Sequence, residues 1–432
     1  MSGAREPRGH EHPGEPPTLG ARKRLSHRLK AAVFFSPALD CRLDDWLDDT
    51  RAQASPLRRI LREGLYLRLF PERRLRATPF APADGAAAGG RSITLLTLVP
   101  PEDPGGGSRP AQLAAELHRR GWHIHWRYAL PIFPWPARRR PQIARLDVRH
   151  VGEKEAHRDS AARSGEAGHA PLLIEAPHPA LCALVRAAGP GAPVIYDAID
   201  LWDGALGAGW YAPGDERWLI ERADRLIASS ALLHRELCAR SGRAVELLQN
   251  AVDTMLFDPR KARATPPDVR HGFPTVGYVG ALWGEWVDLE LIASLADALP
   301  AARINLVGPL GGRRAIERPN VHWLGVKPQS EVPAYLQAFD VAIVPFAEGR
   351  LTAAVSPLKI YEYLAMERAV VSTLLPELEA VPGVTIARSP EAFAAAVARA
   401  AREPVDRGAI ARFVAGQTWV ARVDRLIDLL RE

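Results

Sequence analysis

Ser356-Pro-Leu-Lys359-Ile-Tyr-Glu362-Tyr-Leu-Ala365 follows the apolar run Asp340-Val-Ala-Ile-Val-Pro345 across a short loop. The apolar run reads as a strand. Ser356 as N-cap and Pro357 as first helical residue then form a helix-start signal. Lys359 falls in the first turn, and Glu362 lies three residues on, on the same face. A cation in a first turn is electrostatically misplaced, because the free N–H groups already make that end positive. An anion such as a diphosphate would resolve the conflict, held jointly by backbone N–H groups and the ammonium. Glu362, one turn deeper, can accept hydrogen bonds from a vicinal diol such as a ribose. Strand end, helix start and carboxylate together suggest a nucleotide-sugar site. The alternative for the same residues is an exposed ion pair, worth about a few tenths of a kcal/mol.

Working outward, the same alternation of strand and helix fills the chain. Upstream of the quoted stretch, residues 275–280 read as a strand, 286–299 as a helix and 302–307 as a strand ending in Gly308-Pro-Leu-Gly-Gly312. A short strand at 321–325 and a helix at 330–339 lead into 340–345. Downstream come strands at 370–373 and 384–387, then helices. The earlier half opens with a buried-type strand at 92–99, a loop containing Gly105-Gly106-Gly107-Ser108-Arg109, a helix at 110–120 and a strand at 121–126. Residues 131–170 lack periodicity and read as a surface excursion. Strands at 171–176, 192–198, 224–230 and 244–249 follow, with helices at 180–188 and up to 241. The pattern predicts an α/β protein of two doubly wound, Rossmann-like halves with a ligand site in the cleft between them. Expected boundaries are a partly disordered, partly helical extension over 1–90, an N-terminal half over 91–258, a C-terminal half over 272–415 and a final helix over 416–432. The glycine loop is not G-x-G-x-x-G and no acidic residue ends the second strand, so a dinucleotide fingerprint is absent.

At 432 residues, two domains are the prior. No apolar run approaches the roughly 20 residues that span a bilayer, and Met1-Ser-Gly-Ala-Arg-Glu-Pro7 has no apolar stretch behind it, so no secretory signal is expected. Cys41, Cys182 and Cys238 are far apart and form no C-x-x-C pair, which argues for a reducing compartment and against structural zinc. The expected location is the cytoplasm. Residues 1–80 hold 16 Lys/Arg against 10 Asp/Glu, the same +6 as the whole chain. The body is therefore balanced, and no nucleic-acid partner is expected. In the extension, Leu57, Ile60, Leu61, Leu65 and Leu69 form an apolar stripe beside Arg58, Arg59, Arg62 and Arg68. Such a helix either docks on the protein body or makes a peripheral contact with the inner face of a membrane.

Five segments carry a resemblance to the GT-B glycosyltransferases over about residues 92–430. Gly105-Gly-Gly-Ser-Arg-Pro-Ala-Gln112 leading into Leu117-His-Arg-Arg-Gly-Trp122 is similar to that fold's first loop and helix. Arg222-Ala-Asp-Arg-Leu-Ile-Ala-Ser-Ser230 resembles its aspartate–strand–serine element, and Leu248-Gln-Asn-Ala-Val-Asp253 through Pro259 its inter-domain segment. Ser356–Ala365 resembles the donor helix, and residues 419–430 the final helix, which in this fold crosses back onto the N-terminal domain. Gly277-Tyr-Val-Gly-Ala-Leu282, with Trp286 and Asp288, narrows the likeness to bacterial transferases of teichuronic-acid and related surface-polysaccharide synthesis. The resemblance implies transfer of a sugar from a nucleoside-diphosphate sugar to a saccharide or lipid-linked acceptor, with no cofactor. Two departures stand out. Ala354 occupies the place of the first of two glutamates eight positions apart, and no Arg/Lys phosphate pair follows Gly280. The choice between retention and inversion stays open, and more of the phosphate work falls to Lys359.

The candidate donor residues are Gly280, Glu285, Ser356, Lys359 and Glu362. Gly280 ends a strand where backbone can approach a phosphate, and Glu285 can bond sugar hydroxyls or cap the next helix, as can Asp288. On the acceptor side, Tyr196-Asp-Ala-Ile-Asp200-Leu-Trp-Asp203 puts carboxylates at a strand end. An inverting enzyme needs a general base there. Asp200 is the catalytic candidate, and Asp203 is a runner-up with an acceptor role. Gly106, Gly107 and Arg109 complete the acceptor set, with a tight turn and a surface arginine as the plain alternatives. No Asp-x-Asp loop is present, so metal independence is expected: Lys359 and helix N-termini can neutralise a leaving diphosphate. A nucleotide-sugar epimerase of the same architecture and a non-catalytic binding scaffold are the rival readings.

Overall fold

The computed structural model describes residues 91–101, 107–129, 145–151, 170–282, 286–310 and 315–432. The basic extension over 1–90, Gly106 and Glu285 lie outside the described residues, so the expectations placed on them have no structural counterpart here.

The first half is a seven-stranded parallel sheet: β1 (Ser92–Thr97), β2 (His123–Tyr128), β3 (Leu146–His150), β4 (Leu172–Ile174), β5 (Val194–Ala198), β6 (Arg225–Ala228) and β7 (Glu246–Leu247), in the order β3-β2-β1-β4-β5-β6-β7. The second is a six-stranded parallel sheet of β8 (Thr275–Val279), β9 (Arg303–Val307), β10 (Val321–Gly325), β11 (Val341–Val344), β12 (Ala369–Ser372) and β13 (Val384–Ile386), in the order β10-β9-β8-β11-β12-β13. Both orders reverse once, beside β1 and beside β8. Those reversals are where open α/β sheets leave a crevice at the strand C-termini. Parallel strands covered on both faces have no polar side, so β4 and β5 are buried at every residue.

Helices connect the strands. In the first half they are α1 (Arg109–Arg119), α2 (Pro179–Ala188), α3 (Pro213–Arg222) and α4 (Ala231–Ser241). In the second they are α5 (Leu289–Ala298), α6 (Val332–Gln337), the single turn α7 (Arg350–Ala353), α8 (Leu358–Ala365), α9 (Pro390–Ala400), α10 (Arg407–Ala415) and α11 (Trp419–Leu429). Their starts follow ordinary capping chemistry. His178 Nδ1 accepts from Ala180 N ahead of α2, Ser230 Oγ accepts from Leu233 N ahead of α4, and Asp288 accepts from Leu291 N at 2.8 Å ahead of α5. That assigns Asp288 to capping, and α5 begins three residues later than the apolar pattern suggested.

The last helix belongs structurally to the first sheet. Trp419, Val423, Leu426, Ile427 and Leu429 are buried in one cluster with Ile93, Leu113, Leu117 and Trp126. Each such side chain contributes about 1.5–3 kcal/mol of burial. Arg120 on the α1 side bonds Asp424 at 2.6 Å and the Val420 carbonyl at 3.0 Å. Val252 and Thr418 form a parallel bridge just before the helix. The chain thus crosses between halves twice, at 250–274 and at 416–418.

Two expectations need correction. Within 131–170 there is a strand, β3, on the edge of the first sheet and paired with β2. Its Asp147 is held by Arg127 at 2.8 Å and Arg149 at 3.0 Å. Leu146 and Val148 pack on the core while the alternate positions carry charges paired across and along the strand, so five alternating residues leave no continuous apolar run to mark the strand. The second correction concerns Ser356. The helix begins at Leu358, one residue later than read, with Pro357 extended before it and no side-chain cap. Ser356 is buried, and its Oγ lies 3.3 Å from the Tyr361 hydroxyl instead of over the helix start.

Candidate functional site

Lys359 remains in the first turn of α8, and its surroundings decide its character. Its ammonium lies 4.7 Å from the Phe346 ring centroid and 5.2 Å from that of Tyr278. Among the described residues it makes no hydrogen bond or ion pair. Burial pushes it down to about 8, against the nearby Glu362 carboxylate, which pulls the other way. An aliphatic stem packed on aromatic faces, with its ammonium in a helix first turn, is a geometry in which an anion would satisfy both the ammonium and the free N–H groups.

The floor of this site is backbone. Gly280, at the end of β8, has φ 144°, and a Cβ there would stand 2.8 Å from Lys359 Cε. Gly308, at the end of β9, has φ 138°, and a Cβ would meet the Gly280 carbonyl oxygen at 1.9 Å. Both φ values strain any residue but glycine, and at Gly308 backbone also fills the space a side chain would need. The turn is locked to the helix by Tyr363, fully buried, whose hydroxyl accepts from Val279 N at 2.7 Å and donates to Val279 O at 3.2 Å.

Glu362 is buried, not part of an exposed pair. Burial raises its carboxyl to about 8, while a hydrogen bond from Gln329 Nε2 and the charge of Lys359 act in the opposite direction. Gln329, in the segment between β10 and α6, was not singled out by sequence, since a lone Gln in a polar loop carries no signal.

Across the cleft, the strand ends of the first sheet supply acids. Asp200 lies just past β5, and burial raises its carboxyl to about 7. Glu175, just past β4, is 6% exposed; its Oε1 accepts from Leu98 N at 2.9 Å, and its Oε2 has no partner among the described residues. Burial raises it to about 8, helped by the charges of Asp197 and Asp200. Glu175 was missed, although Leu-Leu-Ile-Glu175 offers the same signal that selected Asp200: a carboxylate at the end of an apolar strand.

Arg109, expected to reach an acceptor, is 5% exposed and turned inward. Its Nε and Nη2 donate to the two Asp197 oxygens at 2.8 and 3.0 Å, and Nη1 donates to Asn250 Oδ1 at 3.2 Å. Asn250 Nδ2 in turn donates to the Ser356 carbonyl at 2.6 Å. A chain of hydrogen bonds thus runs from β5 through α1 to the start of α8. Asp203 is partly exposed and bonds Arg350 at 2.8 Å, which also reaches Glu236 at 3.0 Å; both contacts join the two halves. Gly107 sits against Gln329, with a Cβ position only 2.5 Å from Gln329 Oε1. Structure therefore gathers Gly107, Gly280, Lys359 and Glu362 with Gln329, and places Asp200 with Glu175 at the opposing strand ends. Ser356, Arg109 and Asp203 serve contacts between elements. Among the described residues no group of three or more His, Cys, Asp or Glu could hold a metal ion.

Comparison with known proteins bears on this arrangement. Residues 273–403 match the family described as Glycosyl transferases group 1. A Bacillus subtilis (strain 168) protein named as a teichuronic acid biosynthesis glycosyltransferase, TuaH, is 30% identical over 203 residues, covering 42% of this chain and 51% of that protein. The 2-deoxystreptamine glucosyltransferase of Streptomyces kanamyceticus is 25% identical over 236 residues, covering 48% and 58%. The chain spans about half the length of the curated relatives it matches. Among solved structures, sucrose-phosphate synthase from Thermosynechococcus elongatus superposes with TM-score 0.58 at 16% identity, covering 79% of this chain and 98% of that one. Anabaena HepE in complex with UDP and glucose does so with TM-score 0.57 at 15% identity, covering 78% and 99%. The shared architecture is GT-B.

Proposed function

We propose that this chain, which carries a group 1 glycosyl transferase domain on a GT-B fold, transfers a sugar from a nucleoside-diphosphate sugar to a saccharide or lipid-linked acceptor in cell-surface polysaccharide synthesis. The observation that carries the reading is Lys359: an unpaired ammonium in a helix first turn, facing a glycine floor that admits backbone approach and nothing larger.

Chemically, the donor's anomeric C–O bond breaks and its electron pair leaves on the diphosphate. The new bond forms from the acceptor oxygen to the anomeric carbon. Lys359 and the α8 N-terminus stabilise the charge that develops on the leaving diphosphate. Glu362 accepts hydrogen bonds from the ribose diol. In an inverting course the acceptor proton passes to Asp200, whose carboxyl near 7 suits a general base at neutral pH. Because an ammonium and helix N–H groups supply the positive charge, the transfer is proposed to need no metal. Support for the donor class comes from the neighbour HepE, solved with UDP and with UDP-glucose. Support for the surface-polysaccharide setting comes from the relative named for teichuronic acid biosynthesis. The chain's place is proposed to be the cytoplasm, with peripheral contact at the inner membrane face where lipid-linked acceptors reside. No helix of the described residues is long and apolar enough to cross a membrane.

The test is release of nucleoside diphosphate from UDP-, GDP- and dTDP-sugars, with and without a panel of saccharide and lipid-linked acceptors, in EDTA. Acceptor-dependent release that survives EDTA is expected. Release that needs no acceptor points to the epimerase class, and a chain that binds none of these nucleotides overturns the donor site.

A further inference from the structure

Past the end of β5 the chain turns through Asp200-Leu-Trp202-Asp203, and this turn walls a small cavity at the junction of the two halves. Asp200, Trp202 and Asp203 form one side, Leu233 and Glu236 of α4 another, and Arg350 of α7 reaches in from the second half. Most charges around it are committed to one another. Arg350 bonds Asp203 at 2.8 Å and Glu236 at 3.0 Å, and Arg240 bonds Glu216 at 2.7 Å. Two lining groups are not committed in this way. The Asp200 carboxyl makes no hydrogen bond or ion pair among the described residues. Trp202 is 5% exposed, yet its indole Nε1 has no partner among the described residues. The ring is held in place, packed on Trp210 with centroids 5.5 Å apart, while Gly207 sits against the Trp202 carbonyl too closely for any side chain. Buried donors are nearly always paired, so this pair of groups points to a partner that comes from outside the fold.

The chemistry of that partner follows from what it must satisfy. It accepts from an N–H, donates to a carboxylate, and fits a space of about one water-sized group. An ionised carboxylate cannot donate and an ammonium cannot accept, whereas a hydroxyl does both. We propose that this cavity seats the attacking hydroxyl of a neutral saccharide acceptor, held between the Trp202 indole N–H and the Asp200 carboxylate. This rests on the glycosyl-transfer reading above. Neutrality follows from the lining: the carboxylates of Asp200, Asp203, Glu216 and Glu236 outnumber the guanidiniums of Arg240 and Arg350, so a uronate beside the hydroxyl meets like charge. In an inverting course the hydroxyl proton passes to Asp200, a lone pair of the same oxygen forms the bond to the anomeric carbon, and the electron pair of the broken C–O bond leaves on the diphosphate. Trp202 supplies a binding contact and no proton, so its loss falls on acceptor KM.

The experiment uses the full chain with nitrogen-15 in its tryptophans. Trp202→Phe assigns the Trp202 indole signal, because it keeps an aromatic ring on Trp210 and removes the N–H. Methyl glycosides of glucose, galactose, N-acetylglucosamine and glucuronic acid are titrated in with UDP present. Nucleoside-diphosphate release is measured against acceptor concentration for both proteins, with whichever UDP-, GDP- or dTDP-sugar is turned over. Neutral glycosides should move the Trp202 signal downfield and slow its exchange with solvent, and the glucuronide should bind more weakly. Trp202→Phe should raise acceptor KM about three- to tenfold, the size of one hydrogen bond to a neutral group, with kcat and donor KM little changed. A change in donor KM together with shifts throughout the indole signals makes Trp202 a packing residue and overturns the assignment. A Trp202 signal unmoved by any glycoside, with acceptor-dependent release intact, leaves an ordered water in the cavity and overturns the inference alone. A glucuronide that binds as tightly as the glucoside overturns the neutral class. Release that no acceptor stimulates overturns the transfer reading itself.

Discussion

Replacing Lys359 by Met should make the ligand-free protein more stable and the nucleotide complex much weaker. The two effects have a common origin. Burial lowers the ammonium from 10.5 to about 8, so at pH 7 the group is held charged at an unfavourable cost of ~3 kcal/mol. Cation–π contacts with Phe346 and Tyr278 return part of that, and partial exposure screens more. A thioether of similar length fills the same slot on the same rings. The net gain for the empty protein is then about 1–2 kcal/mol, a rise of a few degrees in Tm. The sign follows from linkage. A lysine whose folded value is lowered penalises the native state fully below pH 8, and the penalty fades as pH rises toward 10.5, so wild type and variant should converge there. Nucleotide binding moves the other way. Losing one charge-assisted contact to a diphosphate costs ~2–3 kcal/mol, or about 30- to 150-fold in Kd. Thermal unfolding with and without 1–10 Kd of nucleotide, together with calorimetric titration, reads both. A Kd within about threefold of wild type, or a fall in the ligand-free Tm, would refute the argument and make Lys359 a structural residue.

Further outcomes follow from the same geometry. Asp200→Asn should lower kcat by about 10²- to 10⁴-fold with donor KM little changed, and abolish the acidic limb near pH 7 in the kcat/KM profile; a retained limb would assign it to another group. Gly280→Ala should destroy nucleotide binding, because the residue sits at φ 144° and its methyl would displace Lys359; calorimetry checks it. Arg109→Ala should lower stability by ~3–5 kcal/mol by leaving Asp197 buried and unpaired, a loss seen in urea unfolding rather than as a selective rise in acceptor KM. Ligand-free stability should fall as pH rises from about 5 to 8. Glu175 and Glu362 keep their protons in the native state up to about pH 8 and Asp200 up to about pH 7, whereas all three lose them near 4 when unfolded. Glu175→Gln should flatten part of that decline in Tm.

Sequence alone determined the two doubly wound halves and a helix opening at Pro357, one residue ahead of where it begins, because these depend on local patterns, whereas the return of the last helix was implied only by the family resemblance. Continuous apolar runs mark parallel strands buried on both faces, Pro and small polar residues mark helix starts, and Gly280 marks a strand end where backbone must approach closely. Lys359 and Glu362 were legible for the same reason: their positions on one helix face follow from spacing. What spacing cannot convey is which side chains meet across the cleft. Arg109 reads like a surface cation until Asp197, 88 positions away, takes both its edges. Ser356 reads like a cap until Tyr361 and Asn250 claim it. Gln329 sits in a stretch with no special pattern and becomes informative only where its amide meets Glu362, while Glu175 ends an apolar strand as legibly as Asp200 but shows its character only when burial leaves one oxygen unpartnered among the described residues. Burial also decides charge. Lys359, Glu362 and Asp200 carry ordinary values in a free chain, and only the low-dielectric surroundings created by tertiary packing bring all three near neutrality, where proton transfer and anion binding take place.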